Sequence, residues 1–99
     1  MKSTYRLKST LWRYPSETAA WYFLSVDKNI SDKIKKDFSH LRKGFGSLPV
    51  KVTIGKTVWK TSIFPQKDGP YLLPVKVKVR KEEGFGEGEE VAFTIDIIS

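Results

Sequence analysis

Alternation of hydrophobic and polar positions is clearest in the second half of the chain. Residues 50–54 alternate apolar and polar side chains, and residues 57–64 resume a strand pattern after Gly55 and Lys56. Two such runs joined by two residues predict a β-hairpin. Glycine at the first loop position adopts a positive φ without a Cβ clash, so the pattern predicts a type II′ turn.

The predicted turn determines which side chains face each other across the hairpin. Val52 is expected opposite Trp59, with Trp59 packed inside the fold, and Lys51 is expected opposite Lys60. Two lysines directly opposite each other repel. An anion bound between Lys51 and Lys60 would relieve that repulsion.

Strand patterns also occur elsewhere along the chain. Further strands are predicted at residues 5–14, 19–26, 71–73 and 91–97. Residues 75–83 fit either a strand, because three valines alternate, or a helical segment that ends at Gly84.

One segment has helical spacing instead. Its apolar residues recur every three or four positions, with lysines between them, and they are Ile30, Ile34, Phe38 and Leu41. This pattern predicts an amphipathic helix of about three turns. Ser31 is predicted as its N-cap, because a serine oxygen accepts hydrogen bonds from N–H groups of the first turn. The helix is predicted to end near Gly44.

These elements predict the fold class. About six short strands and one main helix indicate an all-β fold, a small β-barrel that forms a single domain over residues 1–99. With 39% hydrophobic residues the chain has enough apolar surface for a packed core, so disorder is not expected.

Residue types limit the chemistry. The chain has no cysteine and one histidine, His40, which falls on the predicted helix and is typical of a surface residue. Thiol catalysis, disulfides and cysteine–zinc sites are excluded, and a cytoplasmic location is expected. No apolar run approaches the ~20 residues of a membrane span, so no membrane association is expected. We therefore expect neither an enzyme nor a cofactor or metal site.

Charge is distributed unevenly along the chain, whose net charge is +7. Residues 1–81 contain all 18 Lys and Arg with five acids, which gives +13, and residues 82–99 contain six acids, which gives −6. A basic face is therefore expected, and the candidate anion-binding or nucleic-acid-binding residues are Arg6, Lys8, Arg13, Lys51, Lys60, Lys76, Lys78 and Arg80. Cations track phosphates, and interleaved aromatics such as Trp12 and Tyr14 stack on bases. The alternative is a solvated lysine surface, with Trp12, Trp21 and Trp59 in the core. For Trp21 and Trp59 we expect the core position.

Several separated motifs resemble one family, the uncharacterised bacterial and archaeal domain DUF1905. The resemblance covers nearly the whole chain and rests on residues 21–24, 59–65, 71–74, 79–85 and 88–91. It implies a double-split β-barrel related to AbrB/MazE-type domains, with residues 75–83 forming a short second helical turn. It also implies that relatives are often joined to a bacteriocin-protection-like domain. The family has no established catalytic or binding residues.

Three functions remain open at this point. The first is a non-catalytic module that binds nucleic acid or another polyanion. The second is a protein-interaction domain, whose partner is an acidic protein or a bacteriocin-protection-like domain. The third is a small-molecule-binding barrel with Thr61, Ser62 and Tyr71 near its mouth. A monomer or weak homodimer is expected.

Overall fold

The computed structural model describes residues 3–17, 20–38, 40 and 46–98. Within these ranges the chain forms seven strands and two helices. In chain order they are β1 (Thr4–Thr10), β2 (Trp12–Tyr14), β3 (Trp21–Ser25), α1 (Lys28–Phe38), β4 (Leu48–Ile54), β5 (Thr57–Gln66), β6 (Gly69–Pro74), α2 (Val77–Glu83) and β7 (Glu90–Ile97). None of the described helices is long and apolar enough to cross a bilayer.

The seven strands form one sheet in the order β1-β7-β4-β5-β6-β3-β2. The edge strands β1 and β2 are separated in sequence by Leu11 alone. A flat seven-stranded sheet would hold its edges roughly 29 Å apart at about 4.8 Å per strand, and one residue spans at most about 3.6 Å. The sheet must therefore curl until its edges meet. This confirms the predicted all-β, barrel-like fold.

Leu11 lies at the point where the two edges meet. Its side chain is fully buried, its N–H donates to Glu89 O at 3.0 Å, and its carbonyl accepts from Gly88 N–H at 2.9 Å. The single strand predicted over residues 5–14 is therefore wrong, because the chain leaves one edge of the sheet at Leu11 and joins the other.

The core lies inside the curled sheet. Alternate residues of β4 and β7 are buried, and they are Leu48, Val50, Val52, Ile54, Val91, Phe93, Ile95 and Ile97. The residues between them face outward, as expected for strands with one buried face.

α1 begins earlier than predicted. Asp27 caps it, since its Oδ2 accepts from Ile30 N–H at 3.1 Å. Ser31 is therefore not the N-cap. Its buried hydroxyl donates to Val26 O and accepts from Tyr71 N–H, both at 3.0 Å, which ties α1 to β6. The predicted helix end near Gly44 lies outside the described residues.

The predicted hairpin is confirmed. β4 and β5 pair with Val52 opposite Trp59 and Lys51 opposite Lys60. Gly55 has a φ of +56°, and Lys56 has no positive φ, so the turn is type II′ rather than type I′.

The segment that fitted either a strand or a helix is helical. α2 spans Val77–Glu83 and ends at Gly84, which lies in the left-handed region and donates its N–H to Arg80 O. The left-handed conformation accounts for glycine at position 84, because a left-handed residue after a helix is usually glycine.

Candidate anion-binding cleft

A cleft of about 430 Å³ opens where β5 separates from β6. β5 pairs with β6 at Phe64 and Gln66, near the end of β5. The chain then leaves β6 and forms α2, which packs on β5, and Thr57 Oγ1 donates to Glu83 Oε2 at 2.6 Å. The aromatic and cationic side chains that line the cleft are Trp21, Tyr22, Trp59, Lys60, Lys76 and Arg80.

All the charged side chains among the described residues that line the cleft are positive. Lys60, Lys76 and Arg80 line it, and its described lining contains no Asp or Glu. Three ion pairs form between described residues, and none of them involves a cleft cation: Lys8–Glu90, Lys28–Asp32 and Lys51–Asp96. Three uncompensated cations around one cavity produce a positive potential that attracts anions.

Arg80 is held in a defined position within the cleft. Its Cζ lies 3.8 Å from the centre of the Tyr22 ring, and its Nε donates to Val75 O at 3.4 Å. Stacking and this hydrogen bond orient the guanidinium before any ligand arrives. A guanidinium oriented in this way is suited to bidentate binding of a phosphate or carboxylate.

The two tryptophans of the cleft differ in burial. Trp59 is half-buried and packs against the core, in line with its predicted position opposite Val52. Trp21 is 54% exposed, so the prediction that it lies in the core is wrong. On β3, Leu24 is the buried residue and Trp21 faces outward. Because residues 21–24 are all apolar, the sequence does not show which face of β3 is buried.

Four predicted cations share the outer face of the sheet. Thr4, Asp96, Lys51 and Lys60 form one row across β1, β7, β4 and β5, and Arg6 and Lys8 lie on the same face. Carboxylates lie among them, because Lys51 Nζ is 4.0 Å from Asp96 Oδ2 and Lys8 Nζ is 3.8 Å from Glu90 Oε1. The outer face is therefore less positive than its lysines alone suggest, and Lys60 is the residue it shares with the cleft.

The remaining predicted cations, Arg13 and Lys78, do not line the cleft. Arg13 is paired with Tyr22 across β2 and β3, so it lies on the opposite face of β2 from Trp12 and Tyr14. Lys78 is exposed on α2 and does not line the cleft. The structure thus brings three of the eight predicted residues into the cleft: Lys60, Lys76 and Arg80.

The residues considered for other chemistry are dispersed. Thr61 lines the cleft, but Tyr71 is fully buried in the core and cannot lie at the mouth of a cavity. His40 is exposed beyond the end of α1. Among the described residues, no three His, Asp or Glu side chains gather in a group that would hold a metal ion.

Sequence reasoning missed an apolar surface beside the cleft, which we call the aromatic surface. It is a depression of about 360 Å³ on the outer side of the sheet, and it is formed by Tyr14, Trp21, Phe23, Phe64, Leu72 and Pro74. Tyr14 and Phe64 are 49% and 43% exposed. Tyr14 and Phe23 meet edge to face, with ring centres 6.2 Å apart. Aromatic residues recur at positions i and i+2 on both β2 and β3, and this spacing could have indicated a shared face. Only the structure shows that these side chains face outward.

Comparison of the chain with known protein families supports the resemblance that the sequence motifs indicate. No curated protein matches the chain. The family model described as a domain of unknown function, DUF1905, matches residues 8–95, which is most of the chain. The chain therefore belongs to the DUF1905 family.

Proposed function

We propose that this domain is a non-catalytic module that binds nucleic acid or another polyanion in the cleft. The observation that carries the proposal is the set of Lys60, Lys76 and Arg80 around one cavity whose described lining has no carboxylate. Arg80 is already oriented by Tyr22 and Val75. Binding an anion would therefore cost little side-chain entropy at Arg80.

A polyanion fits this arrangement better than a single small anion. Lys60 belongs both to the cleft and to the outer face of the sheet, where Lys51 lies directly opposite it. A chain of phosphates that leaves the cleft past Lys60 would also lie between the two lysines and reduce their repulsion. Each neutralised phosphate also releases counterions, which strengthens binding at low salt.

The lining favours binding over catalysis. Its described residues provide aromatic faces, cations and the hydroxyls of Tyr22 and Thr61, and they include no carboxylate or imidazole, the commonest acid–base groups. The same set of groups is typical of proteins that hold single strands or backbones without changing them.

A salt-titrated binding assay tests the proposal. Fluorescence anisotropy of labelled single-stranded DNA, RNA, duplex DNA and an acidic peptide would be followed as the salt concentration rises. On a single strand each neutralised phosphate contributes about −0.7 to the log–log slope, so three cleft cations predict a slope of about −2. Lys60→Gln should weaken binding and reduce the slope by about 0.7.

Lys67→Gln is the matched control. Lys67 is an exposed lysine in the β5–β6 turn that does not line the cleft, so its loss should leave affinity and slope nearly unchanged. The proposal fails if the wild-type protein binds no nucleic acid at low salt. Preference for the acidic peptide would instead indicate an acidic protein partner.

A further inference from the structure

The aromatic surface and the cleft are contiguous. Trp21 and Pro74 line both of them, so the apolar depression begins where the cationic cavity ends. The described residues that line the aromatic surface carry no charged group. A ligand that extends across both regions must therefore be anionic at one end and flat and apolar at the other.

Exposure shows which rings are available to such a ligand. Trp21 is 54% exposed, and neither it nor Phe64 takes part in the ring contacts between described residues. Trp12 supports the surface from beside it, because its ring centre lies 5.4 Å from that of Phe23 and its Nε1–H donates to Ser25 Oγ at 3.0 Å. The rings thus form a braced platform with open faces.

We infer that the aromatic surface receives the unpaired bases of a single-stranded nucleic acid whose phosphates lie in the cleft. This inference rests on the proposed function and narrows its ligand class. A single strand carries phosphates on one side and exposed π-faces on the other, which matches the two contiguous regions. A duplex matches only the cleft, because its bases are stacked inside the helix. Aromatic side chains on a sheet are an effective platform for unpaired bases.

The test compares three oligomers of equal length. They are oligo(dT), a duplex that contains the same strand, and an abasic deoxyribose-phosphate strand that keeps the charge but lacks the bases. We expect oligo(dT) to bind on the order of tenfold more tightly than the abasic strand, because each stacked base adds to affinity. Binding should also quench the fluorescence of the wild-type protein, since Trp21 would lie under a base.

Variants separate stacking from charge. Trp21→Leu should lower the affinity for oligo(dT) to near that of the abasic strand, with the salt slope unchanged, whereas Trp21→Phe should keep most of the affinity. Lys60→Gln should weaken the binding of both oligo(dT) and the abasic strand. Val58→Ala is the matched control, because Val58 is 56% exposed but lines neither region. Thermal melts check that each variant is folded.

The outcomes distinguish the two proposals. If duplex, abasic strand and oligo(dT) bind equally and Trp21→Leu changes nothing, the stacking inference is overturned while polyanion binding stands. If none of the three binds at low salt, both proposals fail. If Trp21→Leu alters the sedimentation coefficient of the protein but not its affinity for oligo(dT), the aromatic surface is an interface between proteins and the inference is wrong.

Discussion

Replacing Gly55 by alanine combines two separate penalties. Gly55 has a φ of +56°, where an L side chain costs about 1–2 kcal/mol. A β-carbon there would also overlap Glu83 Oε1, far inside van der Waals contact. Glu83 must then move and lose its 2.6 Å hydrogen bond from Thr57, which costs about 1–2 kcal/mol more. We expect Gly55→Ala to lower the free energy of unfolding by about 2–4 kcal/mol in total.

A double-mutant cycle separates the two penalties. Glu83→Ala alone should cost about 1–2 kcal/mol, the value of its hydrogen bond. In the Glu83→Ala background, Gly55→Ala should cost only the backbone part of about 1–2 kcal/mol, because no carboxylate remains to be displaced. The two substitutions should therefore be less than additive by about 1–2 kcal/mol, the hydrogen bond that both of them remove.

Urea unfolding monitored by tryptophan fluorescence would measure these differences. A loss of about 2–4 kcal/mol corresponds to a fall in Tm of roughly 10–20 °C for a domain of this size. Lys56→Asn is the control, since it keeps the glycine and should change stability little. A loss below about 1 kcal/mol for Gly55→Ala would refute the turn conformation. Strict additivity in the cycle would refute the Glu83 contact.

Three further predictions concern other parts of the fold. Lys60→Glu turns the repulsion with Lys51 into a cross-strand ion pair, so a urea titration should show a gain of about a few tenths of a kcal/mol while oligonucleotide affinity falls. Ser31→Ala removes the acceptor of Tyr71 N–H inside the core, and the same titration should show a loss of about 1–3 kcal/mol. Burial, and secondarily Asp37, raises the pKa of Tyr5 above its ordinary value of 10.0. The unfolded chain then loses the phenol proton first, so the free energy of unfolding should fall as pH rises past 10.0, and Tyr5→Phe should flatten that decline in stability curves measured at alkaline pH. An equally steep decline in Tyr5→Phe, a loss of stability in Lys60→Glu, or an unchanged stability in Ser31→Ala would contradict the respective prediction.

Sequence reasoning succeeded where local rules act. The β4–β5 register follows from a two-residue turn whose first residue is glycine, and no distant contact is needed to derive it. The strand now seen as β7 was predicted at residues 91–97 because one of its faces is buried and the other is not. Gly84 was recognised as a possible helix end from its residue type alone.

Distant contacts explain the failures. Nothing in residues 5–14 indicates that Leu11 divides them between opposite edges of the sheet, because that depends on pairing with β7 on one side and β3 on the other. Ser31 has the residue type of an N-cap, but Asp27 takes that role. The Ser31 hydroxyl instead accepts a hydrogen bond from the backbone N–H of Tyr71, which is distant in sequence.

The candidate site was predictable only in part. Lys60, Lys76 and Arg80 were identified by charge, but their grouping depends on how α2 packs against β5. The outward direction of Trp21 was not predictable, because residues 21–24 offer two apolar faces and only the neighbouring strands decide which face is buried.

The passage of the chain through Leu11 also imposes an order on assembly. β1 is synthesised before the other described strands, and its partner β7 is the last of them. Bringing together strands so distant in sequence means closing a loop of most of the chain, and the entropic cost of closure rises with its length. Folds that depend on such contacts form slowly. On the ribosome the unpaired edge of β1 therefore stays accessible to strands of neighbouring nascent chains until the last strand emerges.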